Sequence, residues 1–173
     1  MLKLSNLTLL LFIFHFVGDY HLQSETMVKE KSLSLKGLLQ HGLVHFVLLF
    51  ILWIFLTLEG EALSGLLLLV LFLVHLGLDY LKAKQESWTK LLPFRLKDWQ
   101  LYLLDQVLHT LSIYLVGEVL LSPNLIGFEP LGIVNFALRW ILLILLITKP
   151  ANVSFKTCFE KYQLIPLKQE GNS

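Results

Sequence analysis

Four pairs of potential metal ligands recur at one spacing: His15 with Asp19, His41 with His45, His75 with Asp79, and Asp105 with His109. On an α-helix a separation of i, i+4 puts both side chains on one face, one turn and about 6 Å apart. Imidazole and carboxylate are donors suited to zinc, iron and manganese, and crowded carboxylates repel one another unless a cation neutralises them. Eight donors exceed one tetrahedral site. The set therefore predicts either two divalent ions, or one ion whose remaining neighbours orient the ligands and carry protons. Zinc fits this donor set best, with iron and manganese as alternatives. The single cysteine, Cys158, excludes an internal disulfide and a thiolate cage, so the chemistry falls to imidazole, carboxylate, amide and amine groups.

The elements that carry these pairs read as membrane helices. Of the 173 residues, 55% are hydrophobic and 16% charged, with a mean hydropathy of +0.69, the composition of an integral membrane protein. A formal net charge of +1 argues against a nucleic-acid surface. There is no glycine-rich phosphate loop, CxxC pair, long linker or fixed-period repeat. Apolar runs place spans near Leu4–Leu22, Leu38–Leu58, Leu63–Leu81, Leu101–Leu121 and Ile133–Thr148. The first also resembles a secretory apolar region after Lys3, but His15 and Asp19 stand where small cleavage-site residues belong, so it is kept as a helix. The expected fold class is all-α: a polytopic membrane helix bundle of about five transmembrane helices over residues 1–150, followed by a tail over 151–173.

Basic residues orient this bundle, because short Lys- and Arg-rich links stay in the cytoplasm. Lys29, Lys31 and Lys36 follow the first span; Lys82, Lys84, Lys90, Arg95 and Lys97 follow the third; Lys149, Lys156, Lys161 and Lys168 follow the fifth. The links around Glu59 and Glu61 and around 122–130 carry no lysine or arginine. The pattern predicts an N-terminus outside and a C-terminus in the cytoplasm, with only Lys3 against it. All four pairs then fall at the cytoplasmic end in two layers: His15, His45, His75 and His109 deeper, and Asp19, His41, Asp79 and Asp105 shallower. Five of the six histidines thus converge on one volume.

Taken singly, each of these residues is explained by an interhelical hydrogen bond or a helix cap; convergence at one depth is what points to metal or catalysis. Gln23 and Gln106 read as interfacial amides, and His21 falls on another face. Asn135 and Arg139 lie toward the outer half, with Arg139 packing or snorkelling. Segments Ser24–Lys36 and Lys84–Asp98, the latter with Trp88, Pro93, Phe94 and Arg95, read as interfacial loops or short surface helices. "TKPANVSF" reads as a helix stop at Pro150 followed by a surface tail, with Ile165–Ser173 disordered.

The stretches "HFVGDYHLQ", "HGLVH", "HLGLDYLKAK", "LLDQVLHTLS" and "TKPAN" resemble, as a set over residues 10–152, a DUF3307-like family of small bacterial integral membrane proteins of unknown function. That resemblance implies a multi-pass protein of the bacterial plasma (inner) membrane. "VHLGLDYLK" is also similar to the His-xxx-Asp helix of predicted membrane-bound metal-dependent hydrolases, although the chain lacks the His-Arg-x-x-Thr-His-Ser type motif of that group.

The leading expectation is a membrane metalloenzyme, a hydrolase acting on a lipid-linked or amphiphilic substrate. In it Asp19, Asp79 or Asp105 accepts a proton, while Lys82 contacts an anionic headgroup or developing negative charge. Membrane lipids are the expected surroundings, and the reading is compatible with an oligomer. The alternatives are a metal or proton carrier, a haem or di-iron redox protein, and an assembly subunit whose polar cluster fixes helix register. Against the carrier stand "FVLLFILWIFLTL" after His45 and "LLLLVLFLV" before His75, which offer no polar path onward.

Overall fold

Leucine keeps most of its rotamer freedom in a helix, and lipid offers backbone amides no alternative partner, so leucine-rich runs of this length fold as helices. The computed structural model describes residues 4–91, 96–121 and 132–159, and all the regular structure among them is helical. In chain order the elements are α1 (Asn6–Phe16), continued by a π-helical turn (Val17–His21); α2 (Glu25–Leu33); α3 (Leu35–Leu58); α4 (Ser64–Ala83); and α5 (Gln85–Trp88), with a 3₁₀ turn (Thr89–Leu91). Then follow α6 (Asp98–Tyr114), continued by a π-helical stretch (Leu115–Leu121); α7 (Gly132–Ile147); and α8 (Lys149–Cys158). The expected features at Lys3, Pro93–Arg95, Ser122–Pro130, Lys161, Lys168 and Ile165–Ser173 lie outside the described residues.

Among the described residues, four helices are long and apolar enough to cross a membrane: Leu35–Leu58, Ser64–Ala83, Asp98–Leu121 and Ile133–Cys158. Their outer faces carry large exposed apolar side chains such as Phe55, Leu66, Leu73, Leu111, Phe136 and Ile144. Surface of that kind on this scale belongs against lipid.

The first expected span differs from the other four. α1 and its π turn run only from Asn6 to His21, roughly 24 Å at about 1.5 Å per residue, less than a hydrocarbon core of about 30 Å. Instead α1 packs against α3, α6 and α7, and Leu7, Thr8, Leu9, Leu11, Phe12 and Ile13 are buried around its circumference. It is the axis of the bundle.

Antiparallel packing sorts the interior into two halves. Leu7, Leu11, Leu52, Leu56, Leu68, Leu71, Ile113 and Val116 form one apolar core. These residues precede the polar pairs in α1 and α4 and follow them in α3 and α6. The apolar half therefore fills one end and the polar pairs the other.

Two local devices shape the polar end. Ser34, in extended conformation at φ −144°, turns the chain from α2 into α3 in one residue and accepts a hydrogen bond from the Gly37 amide at 3.0 Å. A Cβ at Gly37 would collide with the Glu30 backbone, so glycine is what lets α2 fold back onto α3. At the other junction the helix breaks at Thr148, and Pro150 occupies the first turn of α8. Pro150 thus begins a helix rather than ending one, as a ring lacking an N–H is tolerated in a first turn. Within the expected surface tail, α8 stays largely exposed and lies along α6, with the Tyr102 and Ser154 hydroxyls 2.8 Å apart.

Candidate functional site

The one-turn spacing of each pair, carried by α1, α3, α4 and α6, turns eight side chains into a single buried cluster. His15, His41, His45, His75, Asp79, Asp105 and His109 are buried, and Asp19 is nearly so, with 9% of its side chain exposed. The deeper histidines are in mutual ring contact: His45 to His75 at 3.9 Å between centroids, His75 to His109 at 4.7 Å, and His15 to His109 at 5.2 Å.

Each carboxylate sits among imidazoles. Asp19 Oδ1 lies 2.8 Å from His45 Nε2, 3.2 Å from His41 Nε2 and 3.8 Å from His75 Nε2, while its Oδ2 lies 3.8 Å from His15 Nε2. Asp79 Oδ2 lies 3.1 Å from His41 Nε2 and 3.4 Å from His75 Nε2, and its Oδ1 accepts from Lys31 Nζ at 3.0 Å. Asp105 accepts from Lys82 Nζ and, at 2.9 Å, from Gln106 Nε2. Its backbone carbonyl accepts from His109 Nδ1 at 2.9 Å. Because that carbonyl can only accept, Nδ1 carries a proton, and in the neutral ring this leaves the His109 Nε2 lone pair for a metal.

Several of these atoms crowd together without aligned hydrogen bonds. His15 Nδ1, His41 Nδ1 and His109 Nε2 are buried with no hydrogen-bond partner, while His41 Nε2, His75 Nε2 and Asp79 Oδ2 meet only in the ion-pair contacts above, without hydrogen-bond alignment. Leaving one buried polar atom unsatisfied costs about 1–3 kcal/mol, so a group of them is expensive unless something binds there. The donors fall into three overlapping sets within which ligand atoms lie no more than 4.8 Å apart: His15, Asp19, His45 and His75; His41, His75 and Asp79; and Asp79, Asp105 and His109. Such a set of convergent imidazole and carboxylate donors fits one or two divalent cations.

The π turn places Asp19. Its closing bond runs from the Leu22 amide to the Val17 carbonyl at 2.8 Å, the wider i→i−5 ring of a π-helix, a local expansion that occurs often at functional sites. At Gly18 the backbone passes directly against the His45 ring: an added Cβ would lie 2.5 Å from Cε1 and 2.6 Å from Nε2. The close approach of α1 and α3 requires glycine here.

The cluster is open on one side and nearly closed on the other. Toward the end bearing Lys31 and Lys82 lies a cavity of about 390 Å³ lined by Asp19, Tyr20, Lys31, Asp79, Tyr102 and Gln106 among others. Behind His15, His45, His75 and His109 the space shrinks to about 20 Å³ between Leu11, Phe14, Leu71 and Ile113, room for about one water.

Residues outside the eight sort clearly. Lys82, expected to meet a ligand, is paired with Asp105. Gln106 is no bystander, since it accepts from the Tyr20 hydroxyl at 2.9 Å as well as donating to Asp105. Gln23 lines the open cavity with its Nε2 unpartnered. His21 lies apart, 3.4 Å from the Thr148 hydroxyl. Arg139 donates to Asn135 at 2.6 Å, and Asn135 to Asn6 Oδ1 at 2.8 Å, a packing network on the opposite stretch of α1. Lys31, Tyr20 and Tyr102 are site residues that sequence reasoning missed. Tyr20 had a signal in its place beside Asp19, whereas Lys31 was one of several lysines in a polar link.

Among curated proteins and among solved structures nothing matches the chain. A protein-family model does match, over residues 7–128, a span that contains all eight clustered residues. The chain therefore belongs to the family described as "Protein of unknown function (DUF3307)".

Proposed function

We propose that this protein is a metal-dependent hydrolase of the bacterial plasma membrane, acting at its cytoplasmic face on a lipid-linked or amphiphilic substrate. The observation that carries the reading is the convergence of buried imidazole and carboxylate donors, several imidazole nitrogens among them without a hydrogen bond, beside an open cavity. His15, Asp19, His45 and His75 form the first ligand set, and His41, Asp79, Asp105 and His109 supply a second or support the first. A divalent cation held there, zinc by preference and iron or manganese by the same donors, lowers the pKa of water and polarises a phosphoryl or acyl oxygen. Asp19 and Asp79 line the cavity, where a carboxylate can take a proton from attacking water. Lys82 and Lys31 border the same space and are placed to stabilise negative charge on a substrate.

The orientation follows from where the lysines lie. Lys29, Lys31 and Lys36 around α2, Lys82, Lys84 and Lys90 after α4, and Lys149 and Lys156 in α8 share the end of the bundle that holds the site. A basic end is a cytoplasmic end, which supports a C-terminus in the cytoplasm and an α1 that starts toward the outer side, within the bundle rather than as a full fifth span.

Geometry speaks against two of the alternatives. A carrier needs a path onward, yet the space behind the histidines is about 20 Å³ and walled by leucine and phenylalanine. The deep imidazoles at 3.9–6.0 Å between centroids leave no slot for a haem plane. The test compares turnover of phospho- and acyl-amphiphiles by the protein in detergent with metal uptake by proteoliposomes. Chelator-sensitive hydrolysis restored by zinc, iron or manganese is expected; uptake without turnover would move the assignment to a carrier.

A further inference from the structure

Two cavities of opposite character share a wall. The polar one, about 390 Å³, is the open vestibule over Asp19 and Asp79. The other, about 360 Å³, runs along the seam between α4 and α6 and is lined by Leu78, Leu81, Trp88, Leu101, Leu104 and Leu108. Lys82 and Gln85 line both, and Asp105, the partner of Lys82, lines the seam at its inner end. Leu81, Leu104 and Leu108 are exposed on the outer wall of the bundle, so the apolar seam opens where lipid lies. A water-soluble substrate needs only the vestibule. An amphiphile fills both, its chain in the seam and its headgroup beyond Lys82.

Charge narrows the headgroup. Asp19, Asp79 and Asp105 set against Lys31 and Lys82 leave the site at −1 with the imidazoles counted as neutral, and both lysines are engaged by carboxylates. Such a site repels anions. The donor set of Asp79, Asp105 and His109 holds both of those carboxylates; a divalent cation seated there would bring the site to +1 and leave Lys31 and Lys82 free to meet a ligand. Two ammoniums approaching from α2 and α4, together with the Tyr20 and Tyr102 hydroxyls and the Gln106 amide, suit an acceptor with several anionic oxygens. A terminal phosphoryl group has three such oxygens and a charge near −2, and lysine binds phosphate as a point charge.

Resting on the metalloenzyme reading, we propose that the substrate is a lipid ending in a phosphoryl group: the chain lies between α4 and α6, Lys31 and Lys82 grip the phosphoryl oxygens, and binding requires the metal. The lipid enters sideways from the bilayer.

Calorimetric titration of the full-length, metal-loaded protein in detergent tests this with three probes: dioctanoyl phosphatidic acid, inorganic phosphate and dioctanoylglycerol. Phosphatidic acid is expected to bind at least tenfold tighter than phosphate, and dioctanoylglycerol at least tenfold more weakly than phosphatidic acid. Leu104→Trp, at an outward-facing position, should weaken phosphatidic acid about tenfold while leaving phosphate unchanged. Lys31→Gln and Lys82→Gln should weaken both phosphoryl probes, and chelation should abolish both. Equal affinity for phosphate and phosphatidic acid overturns the chain seat, and equal affinity for phosphatidic acid and dioctanoylglycerol overturns phosphoryl recognition. Loaded metal with no phosphoryl binding removes this proposal and leaves the metalloenzyme standing. Phosphatidic acid binding undiminished in metal-free protein removes the metal coupling on which both rest.

Discussion

Gly18→Ala is the sharpest single perturbation of the site, because one methyl group meets one ligand. The added Cβ would stand 2.5 Å from His45 Cε1, whereas ordinary contact begins at 3.4 Å, so the ring or the π turn must retreat by about 0.9 Å. His45 Nε2 is now 2.8 Å from Asp19 Oδ1, and both belong to one donor set, so the retreat breaks the convergence that an ion needs. Disturbing the groups that orient metal ligands costs about 10–100-fold in affinity, or about 1.4–2.7 kcal/mol. Overpacking adds about 1–3 kcal/mol of lost stability. Gly77→Ala is the matched control, since a Cβ there meets nothing within 4 Å. Zinc affinity measured by competition with a chromophoric chelator, alongside thermal unfolding, separates the two effects. If Gly18→Ala binds zinc as tightly as Gly77→Ala, the packing of α1 against His45 does not hold the site and the reasoning fails.

Asp79→Ala leaves Lys31, whose side chain is only 14% exposed, without its carboxylate. It should cost about 3 kcal/mol, the lower end for a broken buried pair because Lys31 can reach water, and the Lys31→Met, Asp79→Ala double variant should recover more than half of this in a thermal-unfolding cycle. Leu56→Ala opens a hole in the apolar half of the bundle, where Leu56 is fully buried; it should lower stability by about 2 kcal/mol or more while metal stoichiometry stays at the parent value. Tyr20→Phe removes the 2.9 Å hydrogen bond to Gln106, which should cost about 1 kcal/mol and reduce turnover without releasing metal, as read by parallel activity and metal assays.

The sequence already carried much of this arrangement, and the reason is periodicity. Apolar runs marked α3, α4, α6 and α7 to within a few residues, as Leu38–Leu58 against the observed Leu35–Leu58 shows. The i, i+4 spacing marked one face on each of four helices, and alternating basic links put those faces at one end. What escaped was anything decided by non-local packing. The π turn around Asp19 arises where α1 accommodates His45 at Gly18, and nothing in the composition of "VGDYH" announces it. Lys31 reaches Asp79 only because Ser34 and Gly37 let α2 fold back on α3. Pro150 reads in the sequence as a stop, whereas it starts α8, whose place is settled by contacts with α6.

Metal content tests the central claim most directly. Inductively coupled plasma mass spectrometry of the detergent-purified protein, grown with metals supplied and handled without chelator, should show near-stoichiometric zinc, iron or manganese. His45→Ala and His75→Ala should each lose most of it, since both residues belong to the donor set around Asp19. No metal above background in the parent, or an undiminished content in both variants, would contradict a metal centre at this cluster and leave the histidines as interhelical packing.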